Sequence, residues 1–247
     1  MAIHHGWQAG AVREPPGIGV RAPDGKRLFD ILLALALLLP LSAVMLAVAG
    51  LLLLMQGRPV LYLSKRIGAS GQSFRLLKFR TMVPVAEDGG ATGGHKSWRI
   101  TRLGHLLRRS RIDEFPQLFN ILAGDMSFVG PRPPLREYVE RFPHRYALVL
   151  RMRPGVTGLA TLVCHAHEDR ILARCLTQAA TQAAYDRRCL PRKLRLEMVY
   201  QQRQSLALDL WIIANTLATV IRPGWRYGRR RGRPGNQRPA DTAHAAG

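Results

Sequence analysis

The chain has 247 residues, 47% of them apolar, with 37 Lys and Arg against 16 Asp and Glu for a net charge of +21. That length admits one domain of ordinary size with appendages, and the apolar fraction is enough for a core. The charge suits a polyanion, whether nucleic acid, anionic lipid or a phosphorylated substrate, and does not choose among them. Cys164, Cys175 and Cys189 are widely spaced and lack zinc-ligand spacing, so a metal-finger reading is set aside and a reducing compartment suits them.

In chain order, residues 1–25 are rich in Gly and Pro, lack apolar periodicity and read as a flexible tail without a cleavable signal pattern. Residues 31–55 contain no charge. As a helix they reach about 37 Å, enough for a bilayer core. Lys26, Arg27 and Asp30 flank one end and Arg58, Lys65 and Arg66 the other, so charge bias does not orient the segment. It either spans the membrane or enters, bends at Pro40 and returns to the same face.

Val60-Leu61-Tyr62-Leu63 and Phe74-Arg75-Leu76-Leu77 predict a β-hairpin around the turn Gly68-Ala69-Ser70-Gly71. The second strand runs into Lys78-Phe79-Arg80-Thr81-Met82, with Lys78 and Arg80 alternating onto one face. Residues 84–96 read as a mobile Gly-rich loop. Ile100, Leu103, Leu106 and Leu107 repeat at helical spacing. A second helix should open near Ile112, with Ser110 as N-cap and Asp113 three residues on. Leu118, Phe119 and Leu122 form its buried side, and Gly124 its end. Residues 168–184 predict a helix, and 191–221 a helix or helix pair. The apolar end of that pair (Leu206, Leu208, Leu210, Trp211, Ile212, Leu217) suits the membrane interface and the core equally. From Arg222 the tail holds seven arginines and one acid, Asp241, and should be disordered and drawn to anionic headgroups.

Asp113-Glu114 is the pair with chemical promise. An Asp at a helix N-terminus is favoured in its ionised form; it can attack phosphorus or hold Mg²⁺ against a diphosphate. A plain capping box is the competing explanation on local sequence alone. Arg108, Arg132, Lys78 and Arg80 come from separate segments beside turns, and such cations bind phosphate oxygens and offset developing charge.

Several long motifs stand in one order: Lys26-Arg27-Leu28-Phe29-Asp30; Lys78-Phe79-Arg80-Thr81-Met82; Ile112-Asp113-Glu114-Phe115-Pro116-Gln117-Leu118-Phe119-Asn120; Gly124-Asp125-Met126-Ser127-Phe128-Val129-Gly130-Pro131-Arg132-Pro133; and Arg153-Pro154-Gly155-Val156-Thr157-Gly158. In this order they resemble the bacterial sugar transferase family, the monotopic polyprenyl-phosphate phosphoglycosyl transferases, over residues 26–221.

The resemblance implies transfer of sugar-1-phosphate from a UDP-sugar to undecaprenyl phosphate with release of UMP, the first step of a surface polysaccharide. It implies Asp113 as the nucleophile of a covalent phosphosugar intermediate and Glu114 as its partner in metal or proton handling, with Mg²⁺ held by this pair. It further implies Arg108 and Arg132 as phosphate-binding arginines, and Lys78 and Arg80 as substrate or headgroup contacts. The expected fold is an α/β, mostly helical, membrane-associated catalytic domain with a short β-hairpin and one N-terminal re-entrant membrane helix. Its divisions are a tail (1–25), a membrane helix (26–57), a cytoplasmic catalytic domain (58–221) and a basic tail (222–247). The expected location is the bacterial inner (cytoplasmic) membrane with the catalytic domain on the cytoplasmic face, bound to anionic lipid; homo-oligomer formation stays open.

Three departures from the family pattern are visible. Ser42-Ala43 stands where Ser-Pro is common, and after Gly158 the chain resembles a branch with an Ala-Thr-Leu continuation and a helical insertion. Glu197 stands where many members have Asp. Two other readings compete with it: a catalytically silent member acting as an assembly partner, against which the intact Asp113-Glu114 pair argues, and a membrane-anchored nucleic-acid-binding protein. The basic tail offers only Trp225 and Tyr227 as aromatics, so no nucleic-acid partner is expected.

Overall fold

A computed structural model describes residues 25–85 and 94–221. The expectations for both tails, and for most of the Gly-rich loop, fall outside those residues apart from Gly25.

Helix α1 (Lys26–Gln56) is a single 31-residue element, about 46 Å at helical rise. Its mean hydropathy reaches 2.8 over an 18-residue window, long and apolar enough to cross a membrane. Pro40 lies inside it, where its ring removes one backbone donor; beside it, Ser42 Oγ donates to Leu39 O at 2.6 Å. One stripe of α1 packs on the rest of the chain: Ala34 and Leu52 are fully buried, while Leu39, Leu46 and Leu54 are more than 70% exposed.

Both ends of α1 are fastened to the body. At the N-terminal end Lys26 Nζ pairs with the buried Asp209, Arg27 donates to the Ile121 and Leu122 carbonyls, and Asp30 accepts the Phe128 N–H. At the C-terminal end Arg80 donates to the carbonyls of Gln56, Gly57 and Arg58, satisfying acceptors that a helix end leaves open.

The hairpin forms as expected, with longer strands: β1 (Leu61–Ile67) and β2 (Ser73–Phe79) pair antiparallel from Leu61↔Phe79 to Ile67↔Ser73. Helix α2 (Arg102–Ser110) is N-capped by Thr101, whose side chain accepts from Gly104 N. Here the capping expectation fails. Ser110 Oγ donates back to Leu106 O and Leu107 O, which closes α2 instead of opening the next helix. Arg111 adopts φ 60°, a tight left-handed turn that costs a non-Gly residue about 1–3 kcal/mol. A 3₁₀ turn, Ile112–Glu114, follows before α3 (Gln117–Ala123). Leu118 and Ile121 are the buried side of α3; Phe119 is half exposed rather than buried. Gly124 ends the helix at φ 95°, as expected.

Asn120 docks α3 on the free edge of β2. Its Oδ1 accepts the Leu77 N–H, and its Nδ2 donates to the Arg75 carbonyl, so the side chain stands in for a neighbouring strand. A second, unexpected sheet is a short parallel pair, β3 (Ser127–Val129) with β4 (Gly155–Thr157). The two backbones come so close that a Cβ on Gly155 would lie 2.1 Å from Gly130 N.

Helices α4 (Arg136–Arg141) and α5 (Pro143–Val149) lie between these strands. The helix expected over 168–184 is divided: α6 (Leu159–Leu172), α7 (Gln178–Ala184) and a π-helical turn Tyr185–Cys189. Helices α8 (Leu190–Arg203) and α9 (Leu206–Ile221) complete the expected pair. Of α9, Ile212 and Asp209 are core, while Leu210 and Leu217 are exposed, so it faces both ways. Tyr200 donates to Asp209 Oδ1 at 2.6 Å, tying α8, α9 and α1 into one buried polar junction. The described residues are mostly helical, with two short sheets.

Candidate active site

Asp113 and Glu114 sit on the 3₁₀ turn between α2 and α3, and both are buried. The left-handed Arg111 turns the chain so that consecutive acids face inward, a service that a simple helix start would not provide.

Glu114 is held by two cations. Lys78 Nζ lies 2.9 Å from Oε1, and Arg111 Nη1 lies 3.5 Å from Oε2. Burial alone would raise its pKa. Lys78, Arg132 and Arg111 outweigh burial and hold it down to about 2. Asp113 differs: its carboxylate has no hydrogen bond or ion pair with any described residue. Burial, reinforced by the charge of Glu114, raises its pKa, against the pull of Lys78, Arg108 and Arg111. The helix-start argument for an easily ionised Asp113 is therefore outweighed by desolvation, and the cations set the balance.

The remaining candidates are brought together unevenly. Arg108 stands on the last turn of α2, with Nε donating to Thr81 Oγ1 at 2.8 Å, and its charge reaches Asp113. Arg132 lies on the Pro-Arg-Pro loop after β3, solvent-exposed, with its charge acting on Glu114 and Asp113. Lys78 lies on β2 against Glu114. Burial, with Arg132, lowers its pKa, and Glu114 and Asp113 oppose that shift. Arg80 is the exception: its guanidinium is committed to the carbonyl end of α1, away from the acids.

Three further residues shape the site without having been singled out for it in sequence. Arg111 has no local signal separating it from its arginine neighbours. Arg66 donates to Ser64 Oγ at 3.0 Å and to Pro133 O at 3.4 Å, bracing the loop that carries Arg132. Burial, with the charge of Arg132, lowers its pKa to about 10. Glu197, noted only for its place in the family pattern, accepts the Arg132 N–H on Oε1 at 3.3 Å, while Oε2 is buried without a partner among the described residues. Burial raises its pKa to about 7, against the Arg132 N–H, Lys193 and Arg132. No group of three or more His, Cys, Asp or Glu among the described residues is placed to hold a metal ion. A buried carboxylate without a partner, ringed by cations on three separate segments, can receive the phosphates of an anionic substrate and present an oxygen nucleophile to one of them.

The comparisons agree in direction with this geometry. The chain is 34% identical over 232 residues to the exopolysaccharide production protein ExoY of Sinorhizobium fredii, covering 86% of this chain and 90% of that protein. It is 43% identical over 202 residues to the UDP-glucose:undecaprenyl-phosphate glucose-1-phosphate transferase of Caulobacter vibrioides (79% of this chain, 69% of that one). To the UDP-N-acetylgalactosamine-undecaprenyl-phosphate N-acetylgalactosaminephosphotransferase of Aeromonas hydrophila it is 36% identical over 200 residues, 79% of this chain but only 43% of that longer protein. The sequence pattern of the bacterial sugar transferases matches residues 22–223, from just before the apolar helix to just past α9. With the pattern extending over both the apolar helix and the acid pair, the chain belongs to the bacterial sugar transferase family.

Proposed function

We propose that this protein transfers sugar-1-phosphate from a UDP-sugar to undecaprenyl phosphate, releasing UMP, and so starts a surface polysaccharide. The observation that carries the reading is the contrast within the acid pair: Glu114 is neutralised by Lys78 and Arg111, while Asp113 is buried and unbonded among the described residues. The relatives' names supply the two substrates.

Asp113 attacks the sugar-bearing phosphorus, the bond from that phosphorus to the bridging oxygen breaks, and UMP leaves with the electron pair. An oxygen of undecaprenyl phosphate then attacks the same phosphorus, and the acyl phosphate bond breaks to restore the carboxylate. Two steps let the nucleotide depart before the second anion enters. Arg108 and Arg132 grip phosphate oxygens, and Lys78 keeps Glu114 ionised beside them. Arg80 anchors α1 and takes no part in binding.

Mg²⁺ fits this donor set in its usual manner, through one or two carboxylates completed by substrate phosphates. Asp113 would hold it; Glu114 would join only by giving up Lys78 or Arg111. When bound there it offsets the charge of the diphosphate.

The two ends of α1 support one reading of the membrane arrangement. A spanning helix leaves its ends on opposite sides of about 30 Å of hydrocarbon. Here Lys26 at one end and Gln56 at the other bond to the same body. The reading is a helix that enters the bilayer and returns, with the catalytic domain on the cytoplasmic face of the inner membrane. A tag at Met1 reached only from the periplasm would overturn it.

The chemistry is tested by UMP release from a UDP-sugar pool with and without undecaprenyl phosphate. Asp113→Asn should abolish release and Asp113→Glu nearly do so. With acceptor withheld, the wild-type peptide containing Asp113 should gain the mass of one sugar phosphate. Unchanged turnover in Asp113→Asn would remove the nucleophile assignment.

A further inference from the structure

A cavity of about 250 Å³ opens beside the N-terminal end of α1, lined among others by Lys26, Arg27, Asp30, Arg151, Arg153 and Gln204. It shares no lining residue with the acid pair or its cations. Arg27 grips the carbonyls at the C-terminal end of α3, whereas Asp113 precedes that helix's N-terminus. We propose that this cavity is a second anion site, which holds the phosphate of an anionic membrane lipid with a hydroxyl-bearing headgroup, of the phosphatidylglycerol kind.

Four cations line it against one carboxylate, Asp30; Asp209 stands behind Lys26 as its partner. Two of the guanidinium groups are already fixed in place. Arg27 is held by the Ile121 and Leu122 carbonyls at 2.6 and 3.1 Å, and Arg153 by the Gly124 carbonyl through Nε at 3.1 Å. The terminal nitrogens of Arg153 bond to no described residue. Guanidinium held this way loses little freedom on meeting a phosphate.

Gln204 adds an independent observation. Its Oε1 is buried and accepts no hydrogen bond from a described residue. The phosphodiester of a lipid has no hydrogen to give that acceptor; a headgroup hydroxyl does. The same end of α1 exposes Leu28 and Leu32, by 60% and 57%, so acyl chains would have an apolar surface beside the cavity. Basic pockets at the foot of a membrane helix bind anionic headgroups for this reason. The inference does not depend on the transfer reaction; it rests only on α1 lying in the bilayer.

The test is native mass spectrometry of the full chain in detergent, titrated with phosphatidylglycerol, phosphatidylcholine or soluble glycerol phosphate. Wild type should retain one phosphatidylglycerol with at least tenfold preference over phosphatidylcholine. Arg153→Glu should lower that retention at least tenfold. So should Ala69→Asp, which adds a carboxylate to the cavity wall and removes no hydrogen-bonding side chain. Arg187→Glu, the same charge change at an exposed arginine outside the cavity, should leave it unchanged.

Equal retention in wild type and Ala69→Asp would overturn the site, whatever the fate of Arg153→Glu. Equal retention of the two lipids would overturn its headgroup preference, and full displacement by glycerol phosphate at the lipid's own concentration would make it a soluble-anion site. Flotation with phosphatidylcholine vesicles measures the embedding of α1 separately; a wild type that fails to float would remove the membrane reading itself.

Discussion

Lys78 Nζ and Glu114 Oε1 lie 2.9 Å apart, joining the end of β2 to the turn before α3 across 36 residues of sequence. Both side chains are largely buried, so each is the other's main compensation for lost water. Removing one partner leaves the other charged and desolvated. Lys78→Met should therefore destabilise the fold by about 3–5 kcal/mol, read from urea unfolding in detergent. The pH dependence has a definite sign. The folded pKa of Glu114 is depressed to about 2, so its contribution is full above the ordinary glutamate value and is lost as pH falls toward 2. In Lys78→Met the folded pKa of Glu114 is less depressed, so the loss over that window should shrink.

Asp113 titrates the other way. Burial raises its pKa above the ordinary aspartate value, which is about 3.9. The nucleophile must be ionised, so kcat/KM for the UDP-sugar should fall as pH drops, with its acidic midpoint above that value. Arg108→Gln removes one of the cations opposing the shift, and its midpoint should move further up. A midpoint that falls in Arg108→Gln would contradict the electrostatic assignment.

Glu197 should show itself in stability rather than chemistry. Its folded pKa is raised to about 7 by burial, so between the unfolded value near 4.3 and about 7 the folded state holds a proton that the unfolded state has released. Stability should then decline as pH rises through that window, by up to about 4 kcal/mol. Glu197→Gln should flatten the decline. Urea midpoints at pH 5 and pH 8 for both proteins decide it.

Arg80 separates a structural cation from a substrate-binding one. It donates to three carbonyls at the end of α1, and hydrogen bonds to a charged group are worth about 1.5–3 kcal/mol each. Arg80→Met should destabilise by at least about 2 kcal/mol while the folded fraction keeps its KM for the UDP-sugar. A large rise in KM with unchanged stability would return Arg80 to the substrate.

Gly104 lets α2 approach the end of the hairpin. A Cβ there would lie 2.1 Å from Thr81 O, a backbone atom that cannot step aside. Gly104→Ala should push away the helix that carries Arg108, and UMP release should fall at least tenfold in protein that still elutes as a folded species.

The fold was partly legible because some of its instructions are local. The hairpin follows from two apolar strands around Gly68-Ala69-Ser70-Gly71, and the α3 stop from Gly124. Other instructions misled for a physical reason. Ser110 and Asp113 have capping-box spacing, yet the Ser110 hydroxyl found carbonyls of its own helix first, and the chain spent a left-handed Arg111 to turn both acids inward. Spacing does not say which of two competing partners a hydroxyl takes. The β3–β4 pair was missed because each strand is three residues long and its partner lies more than twenty residues away.

Sequence alone determined that an uncharged helix, an acid pair and scattered arginines belong to one chain, because composition and motif order are properties of the chain itself. Tertiary structure alone decided which cation serves which acid. Lys78 went to Glu114 and Arg80 to the carbonyls of α1, although only one residue separates them. Charge pairing depends on distance and on the water that burial removes, and neither exists until the segments have packed.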